Sequence, residues 1–214
     1  SLFENALAFA RVEIKHSWSK WNQPVDYKEW GMPAHMVNAY YNPQKNLIVF
    51  PAAILQAPFY DLHQSSSANY GGIGAVIAHE ISHAFDTNGA SFDENGSLKD
   101  WWTESDYAAF KEKTQKVIDQ FDGQESYGAT INGKLTVSEN VADLGGIAAA
   151  LEAAKREADF SAEEFFHNFA RIWRMKGRPE LMKLMASVDV HAPAKLRVNV
   201  QVPNFDDFFT TYDV

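Results

Sequence analysis

The sequence contains no cysteine, which excludes a domain held by disulfide bonds and favours a reducing compartment. It also lacks any apolar run near the roughly 20 residues that a membrane-spanning helix needs, and its opening residues resemble a helix rather than a signal peptide. Together with an acidic pI of about 5.2, these absences lead us to expect a location in a bacterial cytoplasm.

Basic residues are scarce as well. Lysine and arginine number 19 against 28 aspartates and glutamates, which gives a net charge of -9, and no basic stripe is present. Phosphate binding needs clustered lysine and arginine, so we expect no nucleic-acid partner and no membrane contact. With 46% hydrophobic and 22% charged residues, the composition is typical of a globular protein rather than a disordered one.

The chain length of 214 residues suits one substantial core, and no internal repeat or low-complexity segment divides it. We therefore expect residues 1–214 to form one domain. Because the chain begins with Ser1 rather than methionine, we also expect it to be a piece of a longer protein.

Hydrophobic spacing predicts a mainly helical α+β fold with a small β component near the front of the chain. Two short extended runs, 36–41 and 46–50, flank a turn sequence at 42–45 and predict a hairpin. The alternation at 196–200 is compatible with a strand in an otherwise irregular tail. Helices are predicted at 1–17, 70–85, 103–121 (opened by a Thr103–Asp106 capping box), 137–155, 161–174 and 178–187.

His79, Glu80 and His83 form the pattern His-Glu-x-x-His inside an apolar stretch. Residues four apart share one face of a helix, so both imidazoles can reach a single zinc ion. The glutamate beside the first histidine can then act on a water molecule as the catalytic base. The alternative interpretation is a pair of hydrogen-bonded core histidines, because buried imidazoles need partners.

A catalytic zinc ion takes three protein ligands, so a third donor must come from elsewhere in the chain. Glu139 and Asp143 are also four residues apart on a predicted helix, and we assign Glu139 as that ligand. Asp143 would accept the remaining ring N–H of a ligand histidine, and Asp86 could orient the second imidazole in the same way. An ordinary solvated helix face is the alternative, but the following Gly145-Gly146 pair indicates close packing.

Several longer stretches resemble the neprilysin family of zinc endopeptidases, which includes the endothelin-converting enzymes and the bacterial endopeptidase O group. The resemblance extends from about Trp30 to the C-terminus and is carried by residues 37–41, 50–56, 69–74, 79–83, 139–143 and 189–191. It implies a thermolysin-like catalytic domain with one catalytic Zn²⁺, peptide substrates and hydrolase activity.

The resemblance also implies roles for particular residues. Glu139 and Asp143 match the family's third ligand and its supporting aspartate. Asn38 and Ala39, on an edge strand, would hydrogen-bond the substrate backbone, which fits the free groups of such a strand. The resemblance further implies that His191 stabilises the oxyanion and that Arg197 binds a substrate carbonyl. Without it, His191 is equally well a loop histidine with no task.

An apolar pocket for the residue after the scissile bond is a further implication of the resemblance. Its walls would be Ile54, Phe59, Val76, Ile172 and Trp173, for each of which plain core packing is the alternative. Ala75 stands where the family often has methionine, so we expect a deeper pocket that prefers large apolar or aromatic residues.

Members of the resembled family are longer, with a large helical lobe that caps the catalytic domain. That lobe is missing from this sequence, and the chain also looks cut short after residues 208–214. We expect the missing lobe to be the natural partner of this piece, and the piece alone to be weakly active.

The sequence thus predicts a zinc endopeptidase that hydrolyses internal bonds of small to medium peptides. Two other functions stay open: a non-catalytic, zinc-stabilised peptide-binding module, and an aminopeptidase with the same histidine motif. The intact Glu80, His191 and Arg197 count against the first. An aminopeptidase of this kind usually has a third ligand nearer to the histidine motif and an anchor for the free N-terminus of its substrate, and neither is found in the sequence.

Overall fold

The structure, a computed structural model, describes residues 1–214. The chain divides into two compact units, Ser1–Gly31 and Met32–Val214. The first unit carries helix α1 (Leu2–Ser19), which a capping box between Ser1 and Glu4 opens and which has no buried residue. This confirms the helix predicted at the front of the chain. None of the helices combines the length and the hydropathy that crossing a bilayer requires.

The second unit contains the remaining helices and two small antiparallel hairpins. Its strands are β1 (Tyr40–Asn42), β2 (Leu47–Val49), β3 (Glu125–Ser126) and β4 (Ala129–Thr130). Its helices are α2 (Ser66–Asn69), α3 (Ala75–Ser82), α4 (Glu104–Phe121), α5 (Gly133–Ala154), α6 (Ala162–Ile172), α7 (Pro179–Val188), α8 (Ala194–Asn199) and α9 (Asp206–Tyr212). The mainly helical fold with a small β component is confirmed.

The main core forms where α3, α5 and α6 pack together. Phe165, Phe166 and Phe169 of α6 are buried against Ile147 and Leu151 of α5. Burying such side chains stabilises a fold by about 1.5–3 kcal/mol each. The apolar face of α6 therefore shares one core with α5, while its backbone lies closest to residues 66–74.

Two glycines allow α3 and α5 to approach each other closely. A Cβ atom at Gly146 would lie 2.8 Å from the carbonyl oxygen of Ala75 and 2.9 Å from the amide nitrogen of His79. A Cβ atom at Gly145 would lie 2.5 Å from Ser82 Oγ. The close packing predicted from this glycine pair is confirmed, and it brings the backbone of α5 against the histidine-bearing helix.

The first predicted hairpin is present, with Tyr40 opposite Val49 and Asn42 opposite Leu47. Its first strand is shorter than predicted, because the amide of Asn38 donates to the carbonyl of Met36 in a turn before the strand begins. The prediction that Asn38 and Ala39 lie within an edge strand is therefore wrong: both precede β1.

Three further predictions of secondary structure need correction. The helix predicted at 70–85 is interrupted, because Gly72 has φ -93° and ψ -105° and breaks the helical path before α3. The β3–β4 hairpin lies in a stretch predicted to be a loop. The tail contains α8 and α9 instead of a strand at 196–200.

Candidate metal centre

Helix α3 presents His79 and His83 on one face, as the four-residue spacing predicts. Their Nε2 atoms lie 3.0 Å apart, and the two rings meet edge to face at 87°. The side chains are 10% and 16% exposed. The two imidazoles therefore converge on one point at the floor of a cleft rather than pointing in different directions.

Helix α5 brings Glu139 to the same point. Its Oε2 atom lies 3.4 Å from Nε2 of His79 and 3.5 Å from Nε2 of His83. That oxygen is buried, and none of the imidazole nitrogens around it forms an aligned hydrogen bond with it. The structure thus brings together all three predicted ligands, although more than fifty residues separate the glutamate from the histidines in sequence.

These three donors fit a zinc ion. Donors about 2.0–2.1 Å from a tetrahedral zinc ion lie about 3.3 Å from one another, which is close to the spacing of the three atoms here. Two imidazole nitrogens and one carboxylate oxygen are also ligand types that zinc prefers. A buried carboxylate oxygen without a partner is otherwise costly, and a bound cation would satisfy it.

A carboxylate lies behind each histidine. Asp143 Oδ1 is 2.8 Å from Nδ1 of His79, and Asp86 Oδ2 is 2.6 Å from Nδ1 of His83. Such contacts keep the proton on Nδ1 and leave Nε2 free to bind a metal. Both carboxylates lie where they were predicted; Asp86 forms a hydrogen bond with His83, whereas Nδ1 of His79 has no aligned hydrogen-bond partner despite its short distance to Asp143.

Asp143 is itself held by Arg197. The guanidinium donates through Nε to Oδ2 at 2.7 Å and through Nη2 to Oδ1 at 2.6 Å, a bidentate pair that is almost fully buried. The ring of Trp173 covers the guanidinium at 3.7 Å, a favourable cation–π contact. Arg197 lines the cleft, and its predicted contact with a substrate carbonyl stays a prediction.

The charges of the cluster favour a cation at its centre. Burial alone would lower the pKa of His83, but its contacts with Asp86 and Glu139 raise it to about 10. Burial would raise the pKa of Glu139, but His191, His79 and His83 lower it well below its usual range. Without metal, the histidines therefore hold protons where a divalent cation would otherwise sit.

Glu80 lies in the same cleft, 6% exposed. One oxygen of its carboxylate and one nitrogen from each of His79 and His83 all lie within 4.8 Å of one another. Burial raises the pKa of Glu80 above its ordinary value, although the two histidines oppose that effect. A carboxylate with a raised pKa beside a metal position suits proton transfer.

His191 faces the ligand cluster from the loop between α7 and α8. Its Nε2 lies 3.2 Å from Oε2 of Glu139, and its side chain is 46% exposed. Asp189 orients it, since Oδ1 accepts from the amide of His191 at 2.9 Å and lies 2.8 Å from Nδ1. Asp189 had no predicted role, although a carboxylate two residues before a histidine is a signal for such a contact.

Apart from Asp189, these side chains line one cleft with a volume of about 490 Å³. The predicted pocket residues line it too, as do the two residues expected to align a substrate and the small Ala75: Asn38, Ala39, Ile54, Phe59, Ala75, Val76, Ile172 and Trp173. Ile54 and Val76 also pack together with Ala39 in a small apolar cluster. An apolar wall therefore adjoins the polar cluster, an arrangement typical of ligand sites.

Comparisons with known proteins agree with this geometry. The sequence model of Peptidase family M13 matches residues 38–214. A Streptococcus gordonii protein whose name describes a zinc metalloproteinase is 87% identical over 165 residues, which are 77% of this chain and 29% of that protein. A neutral endopeptidase of Lactococcus lactis is 58% identical over all 214 residues, or 34% of its own length.

A solved structure extends the similarity to three dimensions. The zinc metalloprotease of Mycobacterium tuberculosis, solved in complex with an inhibitor, has a TM-score of 0.90 and 40% sequence identity. The match covers 95% of this chain and 34% of that protein. The chain thus spans about a third of the length of the relatives that it matches.

Proposed function

This chain belongs to Peptidase family M13, and from that membership we propose that it carries the catalytic centre of a zinc endopeptidase that hydrolyses internal bonds of small to medium peptides. The resemblance to neprilysin-like zinc peptidases is confirmed, since relatives named endothelin-converting enzyme and neprilysin also match. The thermolysin-like fold agrees with the similarity to solved structures of zinc metalloproteases. The observation that carries the proposal is the convergence of His79, His83 and Glu139 on one point beside Glu80.

The proposed metal ligands are His79, His83 and Glu139. When bound there, zinc supplies a Lewis acid that polarises a carbonyl and makes water more acidic. Asp143 and Asp86 orient the two imidazoles through Nδ1. This outer support favours a proton on Nδ1 of each ring, so that Nε2 is the nitrogen aimed at the metal position.

Glu80 acts as the base in the proposed reaction. Its carboxylate removes a proton from water, and the water oxygen attacks the carbonyl carbon of the scissile bond. Glu80 then passes the proton to the nitrogen as the carbon–nitrogen bond breaks, so that an amine leaves. General acid–base catalysis of this kind contributes about 10²–10⁴-fold to the rate.

Other residues of the cleft hold the peptide and its developing charge. His191, oriented by Asp189, donates to the oxyanion, and Arg197 binds a substrate carbonyl. Asn38 and Ala39 align the peptide backbone. The pocket beside Ala75 accepts a large apolar residue after the scissile bond, which is the proposed basis of substrate preference.

The natural partner proposed for this chain is the rest of a longer protein. Its relatives are about three times as long, and a helical lobe over the cleft would limit access to peptides of modest size. The bacterial cytoplasmic location expected from the sequence stays a prediction.

Glu80→Gln tests the proposed function in the full natural chain. The variant should bind one zinc ion per chain, as the wild type does, and lose about 10²–10⁴-fold in kcat on amino-blocked peptides. Zinc content is measured by elemental analysis and cleavage by chromatography. Normal cleavage by the variant would contradict the role of Glu80. A wild type without zinc would contradict the proposed centre, and cleavage of only free-amine peptides would indicate an aminopeptidase.

A further inference from the structure

Ser138 lies on α5, one residue before Glu139, and lines the cleft without a role in the chemistry above. Its Oγ donates to Asp86 Oδ2 at 2.5 Å. Building on the proposed zinc centre, we propose that Ser138 is a positioning residue for the metal ligands. It joins the helix that carries Glu139 to the carboxylate that orients His83.

The hydrogen bonds around Ser138 have a defined direction. Asn88 Nδ2 donates to Ser138 Oγ at 3.1 Å. The serine hydroxyl has only one proton, and this proton is directed to Asp86. From Asn88 through Ser138 to Asp86, each group therefore donates to the next.

Asp86 is held on both oxygens. Its Oδ1 accepts from the backbone amides of Asn88 and Gly89, each at 2.7 Å. Its Oδ2 accepts a hydrogen bond from Ser138 Oγ and lies 2.6 Å from Nδ1 of His83. An ionised carboxylate only accepts hydrogen bonds, so His83 keeps a proton on Nδ1, and Nε2 is the nitrogen that binds the metal once zinc displaces its proton.

The two ligand histidines are thus supported differently. Behind His79, Asp143 is anchored by the cationic side chain of Arg197. Behind His83, Asp86 is 1% exposed, and its only side-chain hydroxyl donor is Ser138. A water molecule from the cleft could solvate Asp86 after loss of Ser138, but it would not join Asp86 to α5.

The test compares zinc affinity in Ser138→Ala and Ser138→Thr in the full natural chain. Loss of a group that orients ligands from outside typically weakens metal binding by 10–100-fold, and we expect about 10-fold for alanine. Threonine keeps the hydroxyl and should bind zinc nearly as tightly as the wild type. The dissociation constant of zinc is measured by competition with a chromophoric chelator.

A second measurement separates positioning from a merely structural role. Alanine is a better helix former than serine, so the melting temperature of metal-free Ser138→Ala should equal or exceed that of the wild type. Ser187→Ala is the matched control, because Ser187 is helical and its Oγ donates only to a backbone carbonyl, that of Lys183. This control should change neither the dissociation constant of zinc nor the metal-free melting temperature.

The outcomes are distinguishable. Weaker zinc binding by the alanine variant, with an unchanged metal-free melting temperature and rescue by threonine, supports the inference. Zinc binding by Ser138→Ala at wild-type strength overturns it while the proposed function stands. A parallel fall in the metal-free melting temperature also overturns it, in favour of a structural role. If the wild type binds no zinc, the proposed function and this inference fail together.

Discussion

Arg197 and Asp143 form the most buried ion pair of the site, with exposed side-chain fractions of 8% and 3%. Burial alone would raise the pKa of Asp143, but Arg197 and His79 lower it to about 2. The pair therefore stays ionised, and the guanidinium holds the carboxylate that faces His79. Arg197 is thus a structural element of the centre, whatever contact it makes with a substrate.

Removal of this arginine should be costly. Arg197→Met removes the bidentate cationic partner of the buried Asp143, and breaking such a pair typically costs about 3–5 kcal/mol. We expect that loss in the free energy of unfolding, measured by denaturant titration of the metal-free protein. Arg171→Met is the control, since this arginine is exposed on α6 and surface substitutions usually stay within about 0.5 kcal/mol. Equal effects of the two variants would refute the prediction.

Ala75 offers a second test among single residues, because it is 3% exposed and lines the cleft. Ala75→Met should fill part of the pocket and disfavour peptides with phenylalanine after the scissile bond. We expect the ratio of kcat/KM for phenylalanine over alanine peptides to fall by about 10-fold, within the range that pocket size provides.

Ile77→Met serves as its matched control, since Ile77 is on the same helix but 37% exposed. It should leave the ratio unchanged. If the wild-type protein cleaves the phenylalanine and alanine peptides at equal rates, the proposed preference is wrong.

The contact between α3 and α5 decides whether the ligands meet. Gly146 faces backbone atoms of α3, whereas Gly145 faces only the side chain of Ser82. Backbone cannot move aside without shifting the whole helix, but a serine side chain can rotate. The two neighbouring glycines therefore differ in what they tolerate.

Gly146→Ala should force α3 away from α5. Overpacking typically costs about 1–3 kcal/mol, and the shift would separate His79 from Glu139, so zinc affinity should fall as well. Gly145→Ala, the paired variant, should change the free energy of unfolding by less than about 1 kcal/mol, because the gain in helix propensity offsets the contact. Chemical denaturation and zinc titration of both variants test this. Similar behaviour of the two would show that helix approach does not set the ligand spacing.

Helix α8 illustrates how an element can be misjudged from its pattern. Leu196, Val198 and Val200 alternate with polar residues as in a half-buried strand. In the structure, however, Arg197 is buried too, by its pair with Asp143. Leu196 and Val200 then share one apolar cluster at helical spacing while Val198 contacts another. The partner of Arg197 lies 54 residues away, so local sequence carries no sign of it.

At the scale of the whole molecule, zinc binding is coupled to the protonation of the ligand histidines. In the metal-free protein the pKa of His83 is about 10, and that of His79 is also raised. Because folding raises these pKa values, protonation of the histidines stabilises the folded, metal-free protein most at pH values below about 6.5, the pKa of an unfolded histidine. This stabilisation is lost as the pH rises through about 10, the pKa of His83. Zinc displaces the same protons, so it competes with them at neutral pH.

The apparent dissociation constant of zinc should therefore fall as the pH rises from about 6 to about 8. The expected slope is about 10-fold per pH unit for each imidazole proton that zinc displaces. Over the same range, the rise in melting temperature on adding zinc should increase. Competition titrations and calorimetry at several pH values measure both, and a dissociation constant independent of pH would contradict the protonation described here.

The sequence by itself identified the residues that the proposed chemistry uses. The spacing of His79 and His83, and that of Glu139 and Asp143, needs only the period of a helix to place each pair on one face. Those local rules predicted the ligands, the base and most helices. The tertiary structure alone decided how the pairs meet: the approach of α3 and α5, the anchoring of Asp143 by Arg197, and the bond between Ser138 and Asp86. These contacts join residues about fifty to seventy positions apart, and only the packing of whole helices determines them.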